Sequence, residues 1–228
     1  MARSGYWSLF LILLIVEMAQ GSVGSSTDHL IPANDFLADS HYRAVVNKRL
    51  LVTPGDLARC VWLPGNVGSE GAVSLYKRKG KGRGADRVEY RMTVTQAAKP
   101  IWESIGKEEA GGRSQIEVRR FDALVPEAMA LAIAKLWRAM LTRMTTPPAG
   151  NSVSLDAGTE LFSATVAGHE VVGRLDKNAA NKDSLELLDI ANSLLEYFNY
   201  PPSQRPDRAK QIRDQALALK DRIERKKE

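Results

Sequence analysis

The chain has 228 residues, 44% of them hydrophobic and 26% charged, with 32 Lys and Arg against 27 Asp and Glu and a formal net charge of +5. That is an ordinary globular mixture, and a chain of this size buries enough apolar surface to fold without metal or disulfide staples. Cys60 is the single cysteine, which excludes an intramolecular disulfide framework and marks it as a small buried hydrophobe beside Val61 and Trp62.

Arg3 precedes the apolar run LFLILLIV at 9–16, Glu17 ends it, and the small residues of Ala19-Gln20-Gly21 follow. This reads as a secretory signal peptide over 1–21, because the run falls well short of the roughly 20 apolar residues a membrane span needs. Residues 22–35, rich in Gly, Ser, Asp and Asn, have the composition of a flexible leader, so the folded part is expected to begin at Phe36. Residues 36–49 fit either a helix or an irregular lead into Leu50, Leu51 and Val52. Thr53-Pro54-Gly55-Asp56 looks like an N-cap with proline at the first helical position, which predicts a short helical turn through Leu57 and Ala58. Val61, Trp62 and Leu63 are then extended.

The hydrophobic period changes to two in the middle of the chain. Val88, Tyr90, Met92 and Val94 alternate with polar residues over 87–95, the pattern of a half-buried antiparallel strand, and 72–76 is its expected hairpin partner. The intervening glycine-punctuated stretch, 77–86, reads as the connecting loop. A third strand is expected over 115–121, and Glu108-Glu109 before it read as a solvated loop.

The longest clean helical pattern outside the N-terminus spans 125–144. Val125, Met129, Ile133, Leu136, Met140 and Met144 recur at steps of three and four, with Lys135, Arg138 and Thr142 opposite, so this should be the central packing helix. Residues 152–156, 161–166 and 170–175 then read as a meander broken by Ala157-Gly158 and Ala167-Gly168. Asp183 with Glu186 three residues on resembles a capping box, opening a helix whose apolar face carries Leu187, Leu188, Ala191, Leu194, Leu195 and Phe198. The last segment is charge-dense, with a narrow stripe of Ala209, Ile212, Ala216, Leu219 and Ile223 expected to lie loosely on the body. The order of elements predicts an α+β fold: an antiparallel sheet with helices packed mainly on one face, in a single domain over 36–203, plus a charged C-terminal helix over 204–228.

No catalytic motif stands out. His29, His41 and His169 show no metal-ligand spacing, which leaves a metal site and a cofactor without support. Asp39-Ser40-His41 sets triad residue types side by side, but sequence neighbours do not face each other, and the G-x-S-x-G elbow is absent. The glycines at 80, 82 and 84 precede a strand where a phosphate loop would precede a helix, and the dinucleotide spacing fails at Ala85. What remains is a basic tip, Lys77, Arg78, Lys79, Lys81 and Arg83, suited to weak attraction to an anionic surface such as lipid headgroups or polysaccharide and to no specific nucleic acid. At least two of the three tryptophans that outlast the signal, Trp62, Trp102 and Trp137, are expected in the core. The chain therefore reads as an exported protein, periplasmic or extracellular, with no membrane span in its mature form and a non-catalytic binding or structural role. The alternative is a small exported hydrolase with catalytic residues dispersed along the chain, and a cleft gathering His41 or His169 with a serine and a carboxylate would favour it.

Overall fold

A computed structural model describes residues 30–33, 40–51, 57–64, 68–80, 87–109, 116–144, 158–176 and 182–226. Residues 1–21, read as a signal peptide, most of the stretch read as a leader, the expected helical start at Thr53 to Asp56, the tip residues Lys81 and Arg83 and the strand expected at 152–156 lie outside the described residues.

The fold is α+β. In chain order the elements are β1 (Ile31–Pro32), α1 (Ser40–Leu50), β2 (Ala58–Leu63), β3 (Gly71–Lys79), β4 (Val88–Ala97), α2 (Ile101–Glu109), β5 (Val118–Leu124), α3 (Glu127–Leu141), β6 (Thr159–Val166), β7 (His169–Asp176), α4 (Lys182–Glu196) and α5 (Arg205–Arg225), with a 3₁₀ turn at Tyr197–Asn199. The seven strands form one antiparallel sheet in the order β1-β7-β6-β2-β3-β4-β5. Two local features set its hairpins. Ala167 and Gly168 both take positive φ, 49° and 86°, the backbone that a two-residue hairpin turn matched to the strand twist requires, so Val166 faces His169. Gly173 lets β1 and α3 close on β7: a Cβ there would meet Met144 Sδ at 2.7 Å and Leu30 Cβ at 3.0 Å.

Helices α3, α4 and α5 cover one face. The expected stripe of α3 is buried at Val125, Met129, Ile133, Leu136 and Met140, while Lys135, Arg138 and Thr142 are exposed. Burial extends further round the helix, to Ala130, Ala134 and Leu141, because α3 is packed against the sheet on one side and α5 on the other. Trp137 is fully enclosed, packs edge-on to Phe162 with ring centroids 5.4 Å apart, and donates its indole N–H to the Arg59 carbonyl at 3.0 Å. Cys60 is buried in this core, as its sequence setting predicts. The other face carries a smaller cluster, in which Val46 and Leu50 of α1 and Ile101 and Ile105 of α2 pack on Val61, Leu63, Ala72 and Ala97.

Several expectations are corrected. Leu30 is fully buried and Ile31–Pro32 pair with β7, so the packed chain starts inside the stretch read as leader. Ala58 opens β2 and is not the end of a helical turn. The loop at 77–86 shortens, because β3 continues through Lys77, Arg78 and Lys79, whose partners are Tyr90, Glu89 and Val88. The third strand shifts to Val118–Leu124. Glu108 and Glu109 end helix α2 and are not in a loop, and this helix begins where Glu70, from a remote part of the chain, caps it: its buried carboxylate accepts from Ile101 N at 2.7 Å, Trp102 N at 3.4 Å and Tyr42 Oη at 2.8 Å. Burial, then the Glu70 charge, pushes the Tyr42 phenol well above its ordinary pKa. Asp183 sits within α4, and its carboxylate goes to Arg222 at 2.9 Å and Lys226 at 2.8 Å. Helix α5 is correspondingly no loose appendage: Ala209, Ile212, Ala216, Leu219 and Ile223 are all buried against α3 and α4. Trp102, on α2, is the exposed tryptophan of the three, and Trp62 packs on the main core with its indole N–H on Asn192 Oδ1 at 3.2 Å.

Candidate functional site

The second face of the sheet is only partly roofed by α1 and α2, and there the strands present a polar row. Register aligns Ser163 on β6, Arg59 on β2, Ser74 on β3, Thr93 on β4 and Asp122 on β5 directly across one another. Alternation explains the placement: in β2, Arg59 shares a face with Val61 and Leu63, while Cys60 and Trp62 point into the main core.

At the β7 end of this row the strands and α1 enclose a cleft of about 280 Å³, lined by Arg43, Asn47 and Leu51 of α1 and its end, Arg59 and Val61 of β2, Leu161 and Ser163 of β6, and Glu170 and Val172 of β7. Arg59 is held at its floor, with a side chain only 12% exposed. Its Nε donates to Ser74 Oγ at 3.2 Å and its Nη1 to Glu170 Oε1 at 3.4 Å, and Ser163 Oγ donates to the same carboxylate oxygen at 3.0 Å. Arg43 is exposed on the helix side. The walls are aliphatic, from Leu51, Val61, Leu161 and Val172, so the cleft joins a guanidinium floor to an apolar side. A volume near 280 Å³ is at the small end of ligand pockets, which suits a small molecule and no large substrate.

At the other end of the row, Asp122 gathers three donors: Tyr76 Oη at 2.6 Å, Thr93 Oγ1 at 2.7 Å and the Arg91 guanidinium, with Arg91 Nε at 2.9 Å. Burial works to raise the Asp122 carboxyl, and the hydrogen bonds from Tyr76, Thr93 and Arg91 outweigh it and hold the group below the usual carboxylate range. Arg91 also approaches Glu89 at 3.6 Å, and Glu89 approaches Arg78 at 3.8 Å, which links the basic end of β3 to this network.

Of the residues singled out in the sequence, Lys77, Arg78 and Lys79 are exposed at the end of β3, held in register by β4. Arg78 is partly neutralised by Glu89. Of the two histidines among the described residues, His41 is exposed on α1 and His169 is exposed at the β6–β7 turn, and neither lines the cleft, although Ser163 and Glu170 do. Among the described residues no group of His, Cys, Asp and Glu could hold a metal ion, and no helix is long and apolar enough to cross a membrane. Arg43, Asn47, Arg59, Ser163 and Glu170 carry no signal in a motif. The one trace is Arg59, a charge at an alternating apolar position between Ala58 and Cys60. In comparisons with known proteins, no family model matches the chain, and no curated protein or solved structure matches it.

Proposed function

We propose that the protein is an exported, non-catalytic binding protein whose cleft between α1 and strands β2, β6 and β7 takes a small amphipathic molecule with an anionic group. The observation that carries this reading is the pairing of Arg59 and Arg43 with the aliphatic walls of Leu51, Val61, Leu161 and Val172 in one cleft. A carboxylate or phosphate would meet Arg43 at the helix side, and Asn47 and Ser163 supply further polar contacts. Glu170 neutralises part of the Arg59 charge, which keeps the site from accepting any anion indiscriminately. Export rests on the segment at 1–21, and the basic residues Lys77, Arg78, Lys79, Lys81 and Arg83 support weak attraction to an anionic envelope surface, lipid headgroups or polysaccharide.

One preparation tests both halves. The chain is expressed with its N-terminus intact, the exported form is weighed, and it is then titrated with octanoate while its melting temperature is followed. The expected result is a mass that begins after Gly21 and a saturable rise in melting temperature that Arg43→Ala weakens. Retention of residues 1–21 overturns the export reading, and a melting temperature indifferent to octanoate in the parent chain overturns the cleft.

A further inference from the structure

The two edges of the sheet are unlike. At one edge β1 is only two residues long and includes Pro32, which cannot donate a ladder hydrogen bond, so this edge is blunted. At the other edge β5 runs seven residues without proline, and among the described residues no strand pairs with its outer side. Its side chains are exposed: Phe121 is 50% and Leu124 58% accessible, on opposite faces of the strand, and Arg119, Arg120 and Asp122 are exposed as well.

The backbone phase of β5 follows from its inner ladder. Ala98 N donates to Glu117 O at 2.9 Å and Val125 N to Tyr90 O at 3.0 Å, so the odd-numbered residues turn their backbone groups toward β4. Val118, Arg120, Asp122 and Leu124 therefore turn both N–H and C=O outward. We propose that β5 pairs antiparallel with β5 of a second copy of this chain about a two-fold axis at Phe121, joining the two sheets into one.

The strand is self-complementary in that register and in no neighbouring one. With the axis at Phe121, the outward residues match one another: Arg120 lies opposite Asp122 of the second copy, Asp122 opposite Arg120 of the second copy, and Val118 opposite Leu124 of the second copy. Arg120 and Asp122 share the sheet face that carries Thr93 and Thr95, so each opposed pair brings unlike charges together, with Asp122 keeping its bonds to Tyr76, Thr93 and Arg91 and meeting Arg120 with its remaining acceptor sites. Sliding by two residues in either direction keeps the outward groups matched, but sets Arg120 against Arg120 or Asp122 against Asp122. On the opposite face Phe121 meets its own copy across the axis in a non-hydrogen-bonded pair, where side chains approach most closely. Each ring is already backed within its own chain by Phe198, nearly parallel to it with centroids 6.1 Å apart, so pairing would enclose four aromatic rings in a row.

Sedimentation equilibrium of the purified chain tests this, and it is independent of whether the cleft binds octanoate. The parent should be a reversible dimer. Arg120→Pro removes an outward N–H and no bond to β4, and should be monomeric, with a melting temperature equal to the parent's at dilutions where the parent dimer has dissociated. Arg120→Asp, a change at an exposed position, sets Asp against Asp122 across the axis and should weaken dimerisation at least about tenfold, which decides the matter if the proline variant does not fold. Phe121→Cys should cross-link rapidly in air, since Cα atoms of such a pair are about 4.5 Å apart, within disulfide range, and the native Cys60 is buried. Arg119→Cys, which this register sets opposite Ala123, should not. A parent that is monomeric throughout, a dimer indifferent to Arg120→Asp, or equal cross-linking at both cysteine positions overturns the proposal.

Discussion

Leu219→Ala distinguishes an integral C-terminal helix from one that merely rests on the body. Leu219 is fully enclosed in the main core, on the stripe where α5 packs against α3 and α4. Truncation removes three carbons, which at about 0.8 kcal/mol each amounts to about 2.4 kcal/mol of lost transfer energy. The space between two helices that are each anchored elsewhere closes only in part: Asp183 ties the end of α5 to α4 through Arg222 and Lys226, and Glu186 also pairs with Arg222. A residual cavity adds to the loss and places the total at about 2 to 5 kcal/mol, the range for enclosed leucines. Against a domain stability of about 5 to 15 kcal/mol that is a large fraction. Urea denaturation followed by tryptophan fluorescence reads it, because Trp137 lies in the same core. Leu217→Ala, on the side of α5 where the leucine is 37% exposed, is the paired control and should cost about 1.5 kcal/mol at most, clearly less than Leu219→Ala. A loss below about 1 kcal/mol at Leu219 would mean that α5 contributes surface and no core, and would refute the packing described above.

Acid should loosen the same anchor. Burial alone would raise the Asp183 carboxyl, but the hydrogen bonds from Lys226 and Arg222 prevail and hold its pKa below the usual value. A carboxyl depressed on folding gives its full stabilisation above the unfolded-state pKa and loses it as pH falls through the folded-state pKa. Asp183→Asn should therefore melt below the parent at about pH 7, with the gap narrowing as pH falls below about 4, the ordinary carboxyl range, and a gap that does not narrow refutes the linkage. At the basic end of β3, replacing Lys77, Lys79, Lys81 and Arg83 with serine should weaken retention on heparin or anionic vesicles at low salt and leave the melting temperature nearly unchanged. The effect should vanish as the screening length falls from about 10 Å at 0.1 M to about 3 Å at 1 M salt, and equal retention of parent and variant at low salt would mean the tip attracts nothing.

Periodicity by itself determined the elements whose burial is one-sided or whose ends are marked. Helix α3 is legible because Met129, Ile133, Leu136 and Met140 share a stripe and prolines flank it; β4 is legible because Met92 and Val94 alternate with threonines, but the strand is not half-buried, since Thr93 and Thr95 are as enclosed as Met92 and Val94 while Val88 is exposed. The β6–β7 hairpin is legible because Ala167-Gly168 separates two β-prone runs. Tertiary structure decided what depends on partners distant in sequence. Helix α2 begins where Glu70 supplies its cap from 31 residues away, and no local signal announces that. The apolar stripe of α5 is narrow, and it becomes core only because α3 offers a second apolar side to receive it. Register decided the cleft and the edge. A strand's alternation tells which of its residues share a face, but only pairing brings Arg59 of β2 and Ser163 of β6 to the Glu170 carboxylate of β7, across as many as 111 residues of chain. Likewise the seven residues of β5 are ordinary as a sequence. Their outward backbone groups and opposed charges acquire meaning because β5 is the last strand of the sheet, a position that the strand order sets and no single strand encodes.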